Sequence, residues 1–326
     1  MITLGIESTA HTFGIGILKD DEVIANKKSA YSPNEGGIHP RKASEHHYAN
    51  AKQTLNNALQ KAGLEEKEID LVSFSQGPGI PQCLDIGAVV ARALSLKHEV
   101  PLIGVNHCIA HIEIGKLYNN AEDPVTLYVS GGNSQILAYS GEKYRIFGET
   151  QDIAIGNALD KFARTLGIPH PGGPEIEKFA RESNEIIELP YVVKGNDFSF
   201  SGLVTELQKK YKSGDYKKED LCNSFQEYAF SMLIEATERS MAHLEKDELL
   251  LTGGVAANDR LKEMCEIMCE ERGAQFYNVP FEFASDNGAM IGYQGYLEYK
   301  NGKETEIKES AVNPDWRTNQ VKVNWI

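Results

Sequence analysis

The chain has 326 residues, 41% hydrophobic and 25% charged, a balance that excludes a disordered or low-complexity protein and is enough for one large two-lobed body. Its formal net charge of −14 excludes the broad basic surface with which a chain binds nucleic acid unaided, so a polyanionic substrate has to meet a local patch or a basic partner. The start, MITLGIEST, has no signal-peptide pattern, the longest apolar run, IGAVVARALSL, is interrupted by Arg92 and too short to span a bilayer, and five thinly spread cysteines read as reduced thiols, so a cytoplasmic protein without a membrane contact is expected.

Three strands open the chain: ITLGIES is apolar, FGIGILK alternates, and EVIANKK follows a Lys-Asp-Asp turn. A helix is predicted over 43–62, then a buried strand in IDLVSFSQG, a helix in LDIGAVVARALSLKH, a strand in PLIGVNH and a helix in CIAHIEIGKLY. Residues 125–149 repeat the opening unit, with VTLYVSGG, SQILAYS and YRIFGET, at a period of about 125 residues that points to a duplicated domain. Helices are predicted over 155–166, 174–183, 202–211 and 219–244, followed by strand ELLLTGG, helix NDRLKEMCEIMCEER, strand AQFYNVP and helix NGAMIGYQGYLEYK. The alternation predicts mixed α/β layers in two lobes, residues 1–124 and 125–294, with 295–326 returning to the first.

Three predicted strand ends carry polar or glycine-rich turns, IESTAHT, YVSGGNSQ and LLTGGVAAND. Ligands of open α/β sheets gather at carboxyl ends of strands, and glycine lets backbone N–H groups approach phosphate there, so a nucleotide cleft is expected. None of the turns matches the dinucleotide or P-loop fingerprints. Glu7, at the end of an apolar strand, is a costly carboxylate unless it has a partner or a role. PHPGGPEIEKF adds a rigid loop leading into a helix, and can equally be a plain turn and helix start.

His107 and His111 lie four apart in a helical, apolar run, the spacing that lets two imidazoles meet one cation. Two satisfied core histidines would read the same way. Asp286, before the last apolar helix, supplies a third candidate ligand, although an aspartate there is often only a helix cap. His39, His46 and His47 are rival histidines. Two histidines and a carboxylate leave coordination positions open, as catalytic zinc, iron or manganese sites do. His107 is followed by Cys108 and not by glutamate, so the HExxH protease motif is absent. Cys265 and Cys269, also four apart, read as buried hydrophobes sooner than as half a metal site.

Taken in order, GIESTAHTFGIGI, GGIHPRKASEHH, FSQGPG, VNHCIAHIEIGK, YVSGGNSQ, PHPGGPEIEK, FSFSGL, LTGGVAANDRL and SDNGAM closely resemble the TsaD family, which makes threonylcarbamoyladenosine in tRNA. The motifs run over nearly the whole chain, and forms such as VNHCIAHIE look archaeal or eukaryotic, the archaeal version being the catalytic subunit of the KEOPS complex. The resemblance implies the actin/sugar-kinase/Hsp70-like (ASKHA) fold, two ribonuclease-H-like lobes around a nucleotide cleft. It implies transfer of a threonylcarbamoyl group from threonylcarbamoyl-AMP to the exocyclic amine of the adenosine 3′ of the anticodon, in tRNAs reading codons that start with A. It implies one divalent metal ion, iron or zinc, and an adenine nucleotide (threonylcarbamoyl-AMP, ATP or AMP). Its implied partners are tRNA and the small kinase and adaptor subunits of KEOPS.

Carried over by motif, His107, His111 and Asp286 match the family's metal ligands, and Tyr128 approaches the metal. Tyr128, Val129, Ser130, Gly131 and Gly132 match the substrate-binding strand and turn; Asp160, Gly173, Glu177 and Asn258 match the remaining nucleotide contacts; Glu7 and Thr9 match the first phosphate-facing turn. No side chain presents itself as a general base. One stretch departs: GPGIPQCLDIG has Pro81, Gln82 and Asp85 where the family usually has a second glycine and a basic residue, which puts that loop's contacts in doubt. A sugar kinase or ATPase of the same fold would want an aspartate in each phosphate turn, and YVSGGNSQ has none. A metalloprotease lacks its glutamate, and a nucleotide-sensing scaffold has no need of a metal triad.

Overall fold

In a computed structural model, which describes residues 1–33 and 37–326, the chain opens with β1 (Ile2–Glu7), β2 (Thr12–Lys19) and β3 (Glu22–Ala30), each antiparallel to the next. After α1 (Pro40–Ala62), β4 (Leu71–Gly77) adds parallel to β1, and after α2 (Pro81–His98), β5 (Leu102–Asn106) adds parallel to β4. The sheet order is β3-β2-β1-β4-β5. The buried helix α3 (His107–Asn119) then leads to a second set. There β6 (Val125–Val129), β7 (Ser134–Tyr139) and β8 (Tyr144–Glu149) are again successively antiparallel. Helices α4 (Ile155–Thr165) and α5 (Gly173–Ala180), a hairpin of β9 (Val193–Lys194) and β10 (Asp197–Phe198), and helices α6 (Ser201–Ser213) and α7 (Lys218–Leu244) follow. Then β11 (Glu248–Thr252), α8 (Asp259–Arg272) and β12 (Gln275–Asn278) complete a sheet ordered β12-β11-β6-β7-β8, with β11 parallel to both neighbours. Read from the antiparallel edge, the two sheets have the same order and sense, which is the duplication expected from the repeated strand units. Short α9 (Phe281–Ala284) and α10 (Gly288–Lys300) end the main elements.

Three cores hold these layers. Leu4, Ile6, Ile15, Ile17 and Phe74 of the first sheet pack against α1 and α2. Val125, Leu127, Val129, Leu249 and Leu251 of the second sheet pack against helices on its outer face. Between the sheets lie α3 and α10, whose Ile109, Ile112, Met290 and Ile291 join residues of both sheets. The period-2 alternation of β1 explains the placement of the site. Leu4 and Ile6 face α1 and α2, so Gly5 and Glu7 face the interior layer of α3 and α10.

The approach of α10 to the first sheet is close. A Cβ at Gly5 would lie 2.1 Å from the Gly292 nitrogen, and one at Gly16 would lie 2.2 Å from the Ala289 nitrogen. Gly288 itself stacks on Gly16, so the helix belongs to the first sheet from its first residue. The lobe boundary expected at 294/295 therefore cuts a continuous helix and shifts to about Gly288. The tail also differs from a simple return to the first lobe. Thr305 N donates to Leu102 O (2.8 Å) and Asn313 N to Gln76 O (2.8 Å), both in the first lobe. Arg317 then pairs with Glu149 at 2.8 Å, Val323 N donates to Glu142 O at 2.9 Å, and Trp325 Nε1 to Glu113 of α3 at 2.9 Å. The tail straps both lobes because its two apolar anchors, Val321 and Val323, enter the core between the sheets.

Cys265 and Cys269 are buried in α8, where burial pushes the Cys269 thiol up to about 11, as expected of packing residues. Among the described residues, no helix is long and apolar enough to cross a membrane. The glycine contact predicts that Gly16→Ala destabilises the fold by about 1–3 kcal/mol or more, because the clash is with helix backbone that cannot rotate away. Chemical denaturation measures it, and a variant as stable as the parent would show that α10 has freedom to shift.

Candidate functional site

The site forms where β1, α3, α10 and β6 converge. Helix α3 starts at the end of β5, with Asn106 as its cap: Asn106 Oδ1 accepts from Cys108 N at 3.0 Å and from Ile109 N at 3.3 Å. One turn separates His107 from His111, and their rings stand 4.7 Å apart, nearly perpendicular. At the start of α10 the cap is Asn287, whose Oδ1 accepts from Met290 N at 3.0 Å. Asp286 is thereby free of the capping role that its position allows. Its Oδ1 lies 3.4 Å from His111 Nε2 and 3.6 Å from His107 Nε2. Two donors about 2.05 Å from one tetrahedral ion lie about 3.3 Å apart, so the three atoms are spaced as ligands of a single cation. His107, His111 and Asp286 are the one group of its kind among the described residues.

The rival histidines are engaged elsewhere: His46 Nε2 meets Ser29 Oγ at 3.2 Å, His47 Nε2 meets Ala10 O at 3.1 Å, and His39 is exposed. Tyr128, fully buried at the end of β6, lies tilted at 5.0 Å from the His111 ring, and among the described residues its hydroxyl has no hydrogen-bond partner. A buried hydroxyl without a partner costs about 1–3 kcal/mol, so beside the two imidazoles it fits a site built to receive a further group.

Glu7 resolves into a supporting role. Its Oε2 lies 2.9 Å from His107 Nδ1, and its Oε1 accepts from Thr9 N at 2.6 Å and from Thr9 Oγ1 at 2.5 Å. Both oxygens are engaged inside the protein, so Glu7 and Thr9 stand behind His107 where a phosphate-facing turn was expected. A carboxylate on Nδ1 places the imidazole proton there and turns Nε2 toward the cation position. Burial depresses His107, but the charges of Glu7 and Asp286 outweigh it and raise its pKa to about 9. Burial lowers His111 more than Asp286 raises it. Burial also pushes Asp286 up, but the His111 hydrogen bond and the His107 charge hold it below the usual carboxylate range.

The residues expected to bind nucleotide form a second wall. The turn after β6 is closed by Ser130 N donating to Asn133 O at 2.7 Å, and Val129 turns its side chain into the outer core, leaving only its backbone to the turn. Among the described residues, a Cβ at Gly131 or Gly132 would touch nothing within 4 Å. Gly253, at φ +98, packs on the Val129 carbonyl, where a Cβ would approach to 2.2 Å. Asp160 of α4 holds the loop before α5, with His170 Nδ1 at 2.9 Å and the Gly172 amide donating at 2.7 Å. Gly173 opens α5 against Leu159. Glu177 Oε1 accepts from Asp259 N at 2.9 Å, which ties α5 to α8. Asn258 caps α8 through Leu261 N (3.1 Å) and donates to Gln226 Oε1 at 2.7 Å. Asp160 and Asn258 thus have their polar atoms engaged in shaping the wall. The metal group and this wall face each other at one point that the sequence did not single out, where His11 of the β1–β2 turn meets His170 edge-on at 5.9 Å between ring centroids. In the departing loop, Gln82 and Asp85 are exposed, and Ile80 N donates to Thr9 O at 2.7 Å, so the loop backs the site without entering it.

Ion binding has to displace a proton from His107 Nε2. Because His107 is raised to about 9, divalent-metal affinity is expected to fall about tenfold per pH unit below that value. Glu7→Gln should flatten that dependence near neutrality and, above pH 9, weaken the affinity by about 10–100-fold through loss of orientation. Competition titration with a chelator over pH 6–10 reads both effects; equal curves for parent and variant would show that Glu7 does not set the ligand.

A sequence model of the family described as TsaD, tRNA N6-adenosine threonylcarbamoyltransferase, matches residues 21–293. The tRNA N6-adenosine threonylcarbamoyltransferase of Archaeoglobus fulgidus is 54% identical over 325 residues, covering all of both chains. A probable bifunctional tRNA threonylcarbamoyladenosine biosynthesis protein of Methanocaldococcus jannaschii is 53% identical over all of this chain, which spans 61% of it. Among solved structures, HypF of T. kodakarensis superposes with a TM-score of 0.64 over 92% of this chain and 48% of its own, at 16% identity. That likeness concerns the fold, an actin/sugar-kinase/Hsp70-like pair of duplicated lobes. With a full-length relative above half identity and a family match over most of its length, the chain belongs to the TsaD family of tRNA N6-adenosine threonylcarbamoyltransferases.

Proposed function

We propose that this transferase takes the threonylcarbamoyl group from threonylcarbamoyl-AMP, places it on the exocyclic amine of the adenosine 3′ of the anticodon in tRNAs reading codons that start with A, and releases AMP. The observation that carries the reading is the buried His107–His111–Asp286 group, locked from behind by Glu7 and set beside the open Gly131-Gly132 turn. His107, His111 and Asp286 would hold one divalent ion, iron or zinc, with Tyr128 beside it. When bound, the ion supplies Lewis acidity toward the phosphate and acyl oxygens of the adenylate.

The chain's own residues do the rest. The Gly131 and Gly132 amides, with no side chain in the way, are free to donate to phosphate. The N-termini of α3 and α10 add their positive dipole ends beside the metal ligands. Burial of Glu7, Tyr128 and His111 excludes water from one side of the acyl group. AMP is a good leaving group, so holding the amine in line supplies much of the acceleration. An adenine nucleotide in the cleft, a cytoplasmic location and work within KEOPS, beside its small kinase and adaptor subunits, complete the reading.

The test gives the chain, with archaeal KEOPS partners, threonylcarbamoyl-AMP and unmodified tRNA, and reads digested nucleosides by mass spectrometry. Threonylcarbamoyladenosine is expected from the parent and not from a His107→Ala, His111→Ala double variant. Phosphorylated sugar or protein in place of modified tRNA would move the assignment to a kinase. The −14 charge further predicts that the isolated chain holds tRNA weakly and that partners supply most of the affinity. Tight binding by the isolated chain at physiological salt, with a steep salt slope, would refute this.

A further inference from the structure

The proposed transfer leaves one chemical need unmet. The adenosine amine carries a proton that must leave as the new bond forms, and the metal group offers no base within its reach: His107 Nδ1 is held by Glu7, both Nε2 atoms face Asp286, and His111 Nδ1, without a partner among the described residues, is fully buried. A second imidazole stands on the opposite wall. His170 lies in the PHPGG loop with Nδ1 2.9 Å from Asp160 Oδ2, while Asp160 Oδ1 is fixed by the Gly172 amide at 2.7 Å. Asp160 is itself largely buried, its side chain 12% exposed. A carboxylate so fixed keeps the ring proton on Nδ1 and leaves Nε2 as an acceptor. Among the described residues nothing hydrogen-bonds to that Nε2, and the ring is not sealed, being 14% exposed. Among the described residues the groups that face the dyad are Arg164, one turn on from Asp160 in α4, and His11, whose ring meets His170 edge-on.

The position fits the need. Helix α4, which carries Asp160, begins against the glycine turn: a Cβ at Gly156 would lie 2.7 Å from Ser130 O and 2.8 Å from Gly131 Cα. His11 lies two residues beyond Thr9, which touches the Glu7–His107 pair. His170 is therefore tied to both sides, through Asp160 to the helix that starts on the glycine turn and through His11 to the strand turn that supports His107.

We propose that His170, oriented by Asp160, accepts the proton of the attacking adenosine amine; the inference rests on the transfer reading above. The amine nitrogen forms a bond to the carbamoyl carbon. The bond from that carbon to the phosphate oxygen breaks, its electron pair leaving with AMP. The amine proton passes to His170 Nε2, and solvent removes it afterwards. Asp160 is a positioning residue in this scheme.

The test is single-turnover transfer by the chain with its KEOPS partners, over pH 5.5–9, with threonylcarbamoyl-AMP, tRNA and the divalent metal kept saturating at every pH. The parent rate is expected to fall on the acid side, as transfer to a neutral base requires. His170→Gln, which keeps bulk and hydrogen bonding, is expected to slow the step about 100-fold, abolish the acid limb and leave adenylate affinity unchanged. His170→Asn serves as the second variant should glutamine disturb the loop, and nucleotide binding reports on folding for both. A variant rate within a few fold of the parent, an acid limb that persists, or a loss matched by weaker adenylate binding would overturn the proposal in favour of a loop strut. A parent that makes no modified adenosine would sink the transfer reading, and the base with it.

Discussion

The arrangement depends on one buried hydrogen bond, from His107 Nδ1 to the Glu7 carboxylate at 2.9 Å. A carboxylate with no exposed surface at the end of an apolar strand is destabilising on its own, and removing one partner from such a pair typically costs about 3–5 kcal/mol. Glu7 is tolerated because the Thr9 amide, the Thr9 hydroxyl and the imidazole all reach it. In return it fixes where β1 ends against α3 and which nitrogen of His107 looks outward. The position of Asp286 has meaning only relative to that nitrogen.

Three asparagines make this geometry possible. Asn106, Asn258 and Asn287 each follow a strand or loop and cap the helix after it, accepting from amides two or three residues on. A capping residue is committed to its own helix. Because asparagine takes that duty at residues 106 and 287, the adjacent His107 and Asp286 keep their side chains for each other. The same choice leaves Asn258 with its amide directed at Gln226, so it braces the second wall from behind.

Much of this was legible in the chain before any coordinates. The repeated strand units at 1–30 and 125–149 foretold two sheets of one topology, because period-2 alternation and tight turns are local properties. The pair His107/His111 was visible through helix periodicity, although spacing alone left a packed core as an equal reading. What stayed hidden was long-range. Glu7 was recognisable as an expensive residue, but its partner lies 100 residues away. His170 sat inside a motif that reads as well for a plain turn; Asp160, ten residues back on the preceding helix, carries no sign of the pairing, and His11 comes from the other lobe. The lobe boundary went astray for a related reason: the helix at 288–300 has the ordinary signature of an apolar helix, and only glycines at residues 5 and 16 state which sheet it covers.

That glycine contact also sets an order of events at the ribosome. The sheet built from the first hundred or so residues exposes a face shaped for α10, and α10 is made almost last. Every strand and outer helix of the second lobe is synthesised while that face is still bare. The earlier-made half of the protein is thus the later one to close, and it closes around the helix that Asp286 immediately precedes. A nascent chain stalled before residue 286 would hold an open apolar groove and two histidines without their carboxylate. The helix that closes the first sheet and the carboxylate that completes the site arrive together.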